Sequence, residues 1–305
     1  MDKVLILGSN GFLGRAFSEY VKGNHRSYEL IGVDHTPNPT CEFKYYCADL
    51  RQPSVLKEVI LSAEPEYLVN FCGLTKGNDL ENLIFLNAEI PKNIMELLKT
   101  TTFPLKNALF LGSAAEYGLN LDLPLDEESV LKPISEYGLS KSLQTEYFKY
   151  YLARYDLNIC LARPFNIIGP RLPNHLSIAS FLRQITSSQN GATIKTGNLD
   201  SKRDFLDLKD VIEALWLVLN KAPTKGIYNI CKGSSVSMKL ILDYMIEKSG
   251  KTLKISEEAS IKRTNDIPDS FGSYEKIAKN LGWRPKISLQ SSLDVLFETQ
   301  IPRDF

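Results

Sequence analysis

Short apolar runs alternate with longer stretches of helical period through the first half of the chain. Residues 3–7, 29–33, 67–71, 108–111 and 158–162 read as strands. Residues 12–22, 54–62, 81–99 and 137–155, between them, read as helices. Strands alternating with helices of this length make a parallel sheet through crossover connections. Leu68-Val69-Asn70-Phe71-Cys72 and Ala108-Leu109-Phe110-Leu111 are almost wholly apolar, which suits strands covered on both faces.

Beyond Pro164 the texture changes. Pro164, Pro170 and Pro173 interrupt the chain, and a helical pattern follows at 178–187. A short strand at 193–196, a polar loop at 197–203, an amphipathic helix at 210–220, a strand at 226–230 and a helix at 237–248 come next. Neither repeats nor low-complexity segments break this order.

Gly8-Ser9-Asn10-Gly11-Phe12-Leu13-Gly14 follows the first strand and opens the first helix. A pyrophosphate needs a tight turn, a backbone that can approach it, and helix N–H groups aimed at its charge. The spacing is GxxGxxG, and its position after the first strand gives it meaning. Asp34 ends the second strand 20 residues past Gly14, where a carboxylate accepts hydrogen bonds from adenosine ribose hydroxyls and repels a 2′-phosphate. His35 and Thr36 follow it rather than an arginine, so NAD(H) is favoured and NADP(H) stays open. Asp49 and Leu50 are candidates for the adenine edge. The fold expected is α/β: a doubly wound, parallel Rossmann-type sheet over 1–165, to which 206–230 returns. A smaller C-terminal α/β substrate lobe would take 166–205 and 231–305.

Tyr137 and Lys141 stand four apart on a predicted helix and share one face. A nearby ammonium favours the phenolate, so Lys141 is expected to lower the Tyr137 pKa toward the working range. Ser113, in Gly112-Ser113-Ala114-Ala115-Glu116-Tyr117-Gly118, follows a buried strand directly. Doubly wound sheets place their ligands at that edge. Its hydroxyl is a candidate partner for the reacting oxygen.

Together these segments resemble the extended short-chain dehydrogenase/reductases of the nucleotide-sugar epimerase/dehydratase family. The likeness covers essentially the whole chain, with RPFNIIGP (163–170), GNLDSKRDF (197–205), KRTNDIP (262–268) and LGWRPKISL (281–289) adding to the motifs above. It implies Ser113, Tyr137 and Lys141 as the catalytic set, with Lys141 also holding the nicotinamide ribose. By the same resemblance Gly8, Asn10, Gly11, Phe12, Leu13 and Gly14 line the cofactor, and Phe71, Cys72 and Gly73 lie where the family's backbone passes it. Asn166 meets the substrate phosphate or base, Arg203 and Arg263 the diphosphate, and Asp266 the nucleotide ribose. Arginine suits phosphate because its planar fork donates two bonds. The family often dimerises through two long helices per subunit, which 81–99 and 137–155 would supply.

Family members epimerise, dehydrate, reduce or decarboxylate, and fold does not choose among them. Dehydratases of the family carry an acid two places after the active-site serine, where this chain has Ala115; Glu116 stands one place later. Members that epimerise at C3 and C5 have a cysteine there. Simple hydride transfer needs only Ser113, Tyr137, Lys141 and the cofactor. Among such members the segments look most like the GDP-4-keto-6-deoxy-D-mannose reductase branch and its 4-keto-reductase relatives, which favours a GDP-sugar. A 4-epimerase needs the same three residues and is the alternative; a dinucleotide-binding sensor is the non-enzymatic one.

Lys+Arg and Asp+Glu each number 36, so the chain lacks the basic footprint of a nucleic-acid or anionic-membrane binder. No run reaches 18 apolar residues and no signal peptide is read at the start, so a cytoplasmic enzyme is expected. The five cysteines show no metal spacing and read as reduced thiols, and no metal is expected. His25 reads as surface, His175 as a candidate for the sugar pocket, and the Tyr147–Tyr151 aromatic face as core or dimer seam.

Overall fold

The computed structural model describes residues 1–38, 40–77, 79–221, 225–261 and 266–300. The glycine turn joins β1 (Asp2–Leu7) to α1 (Phe12–Asn24), and β2 (Tyr28–Asp34) leads to β3 (Lys44–Cys47). There follow α2 (Pro53–Ala63), β4 (Tyr67–Asn70), α3 (Leu80–Ile84) and α4 (Ile90–Leu98). Then come β5 (Asn107–Leu111), α5 (Glu136–Arg154), β6 (Ile159–Pro164) and β7 (Asn166–Ile168). The later part holds α6 (Ser177–Ser187), β8 (Thr193–Thr196), β9 (Lys202–Arg203), β10 (Phe205–Asp207), α7 (Leu208–Lys221) and β11 (Gly226–Ile230). It ends with β12 (Val236–Ser237), α8 (Met238–Ser249), β13 (Lys254–Glu257), β14 (Asp269–Ser270), α9 (Glu275–Leu281) and α10 (Leu289–Gln300).

Seven strands form one parallel sheet in the order β11-β6-β5-β4-β1-β2-β3. The order reverses between β1 and β4, and the carboxyl ends of strands beside such a reversal leave a crevice. Both faces are covered. Phe17, Trp216 and Trp283 pack on one side with Val4, Ile6 and Val69; Ile60, Ile94 and Phe148 pack on the other with Leu5, Leu7 and Phe110. A third cluster, with Phe181, Leu182, Ile241 and Leu296, binds α6, α8 and α10 together.

Three departures from sequence expectation have physical causes. The helix expected over 81–99 is interrupted by a π-turn at Phe85–Glu89 between α3 and α4. Pro91 has no N–H to give the carbonyl one turn back, and its ring crowds that carbonyl. Lys202 and Arg203, expected in a polar loop, pair as β9 with β12 and β14. His25, expected at the surface, is half-buried and stacks on Trp216 with centroids 4.4 Å apart. On the aromatic face of α5, Phe148 and Tyr151 are core while Tyr150 stays exposed.

Phe148 is fully buried between α5 and the sheet. Phe148→Ala should therefore lower stability by about 3–5 kcal/mol in urea titrations, whereas Tyr150→Ala should cost under about 1 kcal/mol.

Candidate active site

The glycine turn is built for close approach. Gly8 adopts φ +78°, and a Cβ there would lie 2.9 Å from the Cys72 amide nitrogen. A Cβ on Gly14 would sit 2.1 Å from the Gly8 carbonyl oxygen. Gly11 caps α1 without a side-chain hydrogen bond, and no acid stands in the first turn. The helix start thus presents its positive dipole end with no acid of its own, a cradle that fits a dinucleotide pyrophosphate.

Asp34 lies beside it, buried at the end of β2. Its Oδ2 accepts the Asn10 N–H at 3.0 Å, and its Oδ1 accepts from the Thr36 N–H and hydroxyl at 3.2 and 3.1 Å. His35 Nδ1 is 3.0 Å from the same Oδ1. The Asn10 amide donates to Thr36 and to the Tyr45 hydroxyl, tying the turn to β3. Asp49 is held bidentately by Arg51, whose hydrogen bonds keep its carboxyl below the ordinary carboxylate range. Leu50 packs into the core on one face of the sheet, Phe12 and Leu13 pack partly against the core on the other, and Phe71 meets Phe17 edge-on. Burial pushes the Cys72 thiol up to about 12, so it is no nucleophile.

The Ser-Tyr-Lys group converges at the ends of β4 and β5. Ser113 caps a single 3₁₀ turn, Ala114–Glu116, its hydroxyl accepting the Ala115 N–H at 3.2 Å. The Ser113 hydroxyl lies near enough to the Tyr137 phenol to lower its pKa. Ser135 caps α5, and a Cβ on Gly138 would lie 2.4 Å from the Ala115 carbonyl, so helix and turn touch backbone to backbone. Lys141, 4% exposed, donates to the Leu111 carbonyl at 2.7 Å and to Gln144 Oε1 at 3.1 Å.

The ionisation pattern differs from expectation. Burial holds the Tyr137 phenol up at about 12; the neighbouring Ser113 hydroxyl opposes this, and Glu116 adds to it. Lys141 is not among the groups that lower it, because its ammonium is turned toward Leu111 and Gln144. Burial brings Lys141 itself down to about 8, against the pull of Glu116 and Cys72.

Several groups here escaped sequence reasoning. Asn87, fully buried on the π-turn, exchanges two hydrogen bonds with Leu74 and donates to Ser140 of α5, bridging the loop after β4 to the catalytic helix. The signal was present: a polar residue on an apolar helical stretch, four before a proline. Gln144 is buried too, its Nε2 lacking a partner among the described residues. Glu116, the acid weighed for dehydration, is fully buried and ion-paired with Arg163, so it does not face a substrate.

In the smaller lobe Arg203 NH2 donates to Asp266 Oδ1 at 2.7 Å, and Asn198 binds the other oxygen at 2.9 Å. Asn166 turns its amide to the Asp204 carbonyl at 2.9 Å. Asp204 is fully buried and accepts the N–H groups of Lys232, Gly233 and Gly272; burial nevertheless brings its carboxyl up to about 6. Arg263 lies outside the described residues. His175, exposed, meets the Thr75 hydroxyl at 2.8 Å across the two parts of the chain. No group of three or more metal-ligating side chains occurs, and no helix is long and apolar enough to cross a membrane, among the described residues.

A glycine-turned parallel sheet carrying a serine, a tyrosine and a lysine at its carboxyl edge has the build of a dinucleotide-dependent hydride-transfer enzyme. The chain belongs to the NAD dependent epimerase/dehydratase family, whose model matches residues 4–231. It is 25% identical to GDP-6-deoxy-D-mannose reductase of Pseudomonas aeruginosa, over 96% of this chain and 95% of that one. It is 27% identical to a putative UDP-glucose 4-epimerase of Methanocaldococcus jannaschii, over 95% of each. Among solved structures, RMD from Pseudomonas aeruginosa complexed with NADPH superposes with a TM-score of 0.84 at 24% identity, covering 98% of both chains.

The lowered Lys141 gives a signed prediction. Between about pH 8 and 10.5 the unfolded chain binds more protons at this residue, so the penalty of the buried ammonium is full below pH 8 and fades as pH rises. Lys141→Met should gain stability relative to wild type at about pH 7 compared with about pH 10, by up to roughly 3 kcal/mol, in paired urea titrations.

Proposed function

We propose that the protein reduces the C4 ketone of a nucleotide-diphosphate 4-keto-6-deoxy sugar, a GDP-sugar in preference, with Tyr137 as the general acid. The observation that carries this is the packing of the Ser113 turn against the start of α5, which sets the serine beside a phenol that burial keeps protonated, at a sheet edge where Glu116 is withdrawn into an ion pair. That leaves equipment for one hydride and one proton, with the acid nearest the serine turn among the described residues withdrawn from expelling water. A dihydronicotinamide supplies the hydride to C4 when bound. Ser113 hydrogen-bonds the ketone oxygen and keeps it in line with the phenol. Tyr137 gives that oxygen its proton, so the carbonyl becomes a hydroxyl and the phenolate is left to recover a proton from solvent. Lys141, buried beside Tyr137 on the same helix, would hold the nicotinamide ribose, and its positive charge would stabilise that phenolate.

On the cofactor side, Gly8, Gly11 and Gly14 would admit the pyrophosphate and Asp34 would take the ribose hydroxyls. A buried carboxylate there disfavours a 2′-phosphate, which supports NAD(H). The similar Pseudomonas structure holds NADPH, and NADP(H) remains the second choice. Arg203 and Arg263 are proposed for the diphosphate, Asp266 for the nucleotide ribose, and the subunits are proposed to pair through 81–99, which spans α3 to α4, and 137–155, in and just past α5. Asp34, together with the likeness to 4-epimerases, also supports a second reading: a 4-epimerase using the same three residues and keeping its NAD.

Purification followed by cofactor extraction separates the two. A reductase should lose its dinucleotide on dialysis and oxidise NADH when given GDP-4-keto-6-deoxymannose. Firmly retained NAD, with interconversion of C4 epimers and no net NADH oxidation, would overturn the proposal. Tyr137→Phe should lower kcat about 10²–10⁴-fold while leaving the Kd for NADH within about two-fold, by fluorescence titration.

A further inference from the structure

Beneath the Ser-Tyr-Lys group lies a buried polar cluster that proton and hydride transfer do not directly use. At its centre Glu116 and Arg163, both 0% exposed, form an ion pair with Arg163 Nε donating to Glu116 Oε2 at 2.9 Å. The Thr145 hydroxyl donates to the same oxygen at 2.6 Å, and the Ser113 N–H donates to Oε1 at 2.7 Å. One carboxylate thus grips three separate pieces: the turn bearing Ser113, the helix bearing Tyr137 and Lys141, and strand β6. The Arg163 guanidinium is itself pinned, 5.0 Å over the Tyr117 ring and 3.1 Å from the Tyr117 hydroxyl. That hydroxyl in turn donates to Asn229 of β11 at 2.7 Å. A Cβ on Gly112 would fall 2.6 Å from Glu116 Oε1, so the carboxylate is fitted against bare backbone.

Burying two charges costs about as much as their attraction returns, so stability alone is a poor reason for the pair. What it does supply is alignment. We propose that Glu116 is a positioning residue, anchored by Arg163, that fixes the Ser113 turn against α5 so that the serine hydroxyl and the Tyr137 phenol meet one substrate oxygen. This rests on the hydride-transfer function proposed above and holds for either direction of transfer.

The placement also has an electrical side. The charged and titratable groups facing Glu116 are Arg163 from β6, Lys141 and Tyr137 from α5, and Tyr117 on its own turn, with Cys72 beyond Lys141, while Arg163 also meets the backbone carbonyl of Glu127. The carboxylate favours the protonated forms of both Tyr137 and Lys141. Its loss should therefore make both give up their protons at lower pH, and a general acid would fail earlier on the alkaline side.

Two variants test this, each expressed as a ratio to wild type for whichever hydride transfer wild type performs. Wild-type specificity reports on the proposed function, and the ratio reports on Glu116. Glu116→Gln should move the alkaline limb of the kcat/KM profile to lower pH. Glu116→Gln with Arg163→Met removes the pair without leaving a lone buried cation. It should fold, bind NADH by fluorescence titration within about two-fold of wild type, keep its sugar-nucleotide KM, and lose roughly 10- to 100-fold in kcat. An unchanged kcat and pH profile with only a lowered Tm would overturn the proposal. Failure of the pair variant to fold would overturn it equally, by assigning the pair to the fold alone.

Discussion

The molecule depends on one close approach of backbone to backbone. Where β1 ends, the chain must turn, pass within contact distance of the strand after the sheet reversal, and enter a helix, all inside seven residues. A side chain at Gly14 would overlap the Gly8 carbonyl, and one at Gly8 would press on the β4 end. That contact draws together the end of β1, the loop at Phe71–Gly73 and the start of α1. The crevice where a dinucleotide would lie exists because nothing larger than hydrogen occupies those positions.

The same economy recurs across the crevice. Gly112 admits a carboxylate, Gly138 admits the Ala115 carbonyl, and Gly73 admits the Asn87 amide at 2.5 Å from where its Cβ would be. Polar groups buried this tightly must be satisfied, and most are, by backbone partners on neighbouring elements. In the smaller lobe Arg203 and Asp266 satisfy each other. A diphosphate bound by Arg203, as proposed, would have to compete with that carboxylate, which the Asn198 amide also holds.

How much of this could be read from the chain depended on length and solvent. The buried runs at β1, β2, β4, β5 and β6 announce themselves, because strands covered on both faces need unbroken apolar sequence. β3 carries exposed Lys44 and Cys47 at the sheet edge, and its pattern is that of a loop. β9, β12 and β14 are two residues long and arise only when distant segments meet. The glycine turn, Asp34, Ser113, Tyr137 and Lys141 stand out as motif residues. Asn87, Gln144 and the Glu116–Arg163 pair do not, since their meaning lies in contacts up to 53 positions apart. The direction of the Lys141 ammonium was likewise invisible: four-residue spacing puts it on the tyrosine's face but does not aim it.

The strand order has an evolutionary corollary. Everything proposed to choose between two dinucleotides hangs from β1, β2 and β3, on one side of the reversal. Everything proposed to move a proton hangs from β5 and the helix that follows it, on the other. Mutations that retune cofactor preference need not pass through the proton-handling machinery, and the converse also holds. A scaffold divided in this way can exchange its redox currency and its sugar chemistry independently, one lineage at a time.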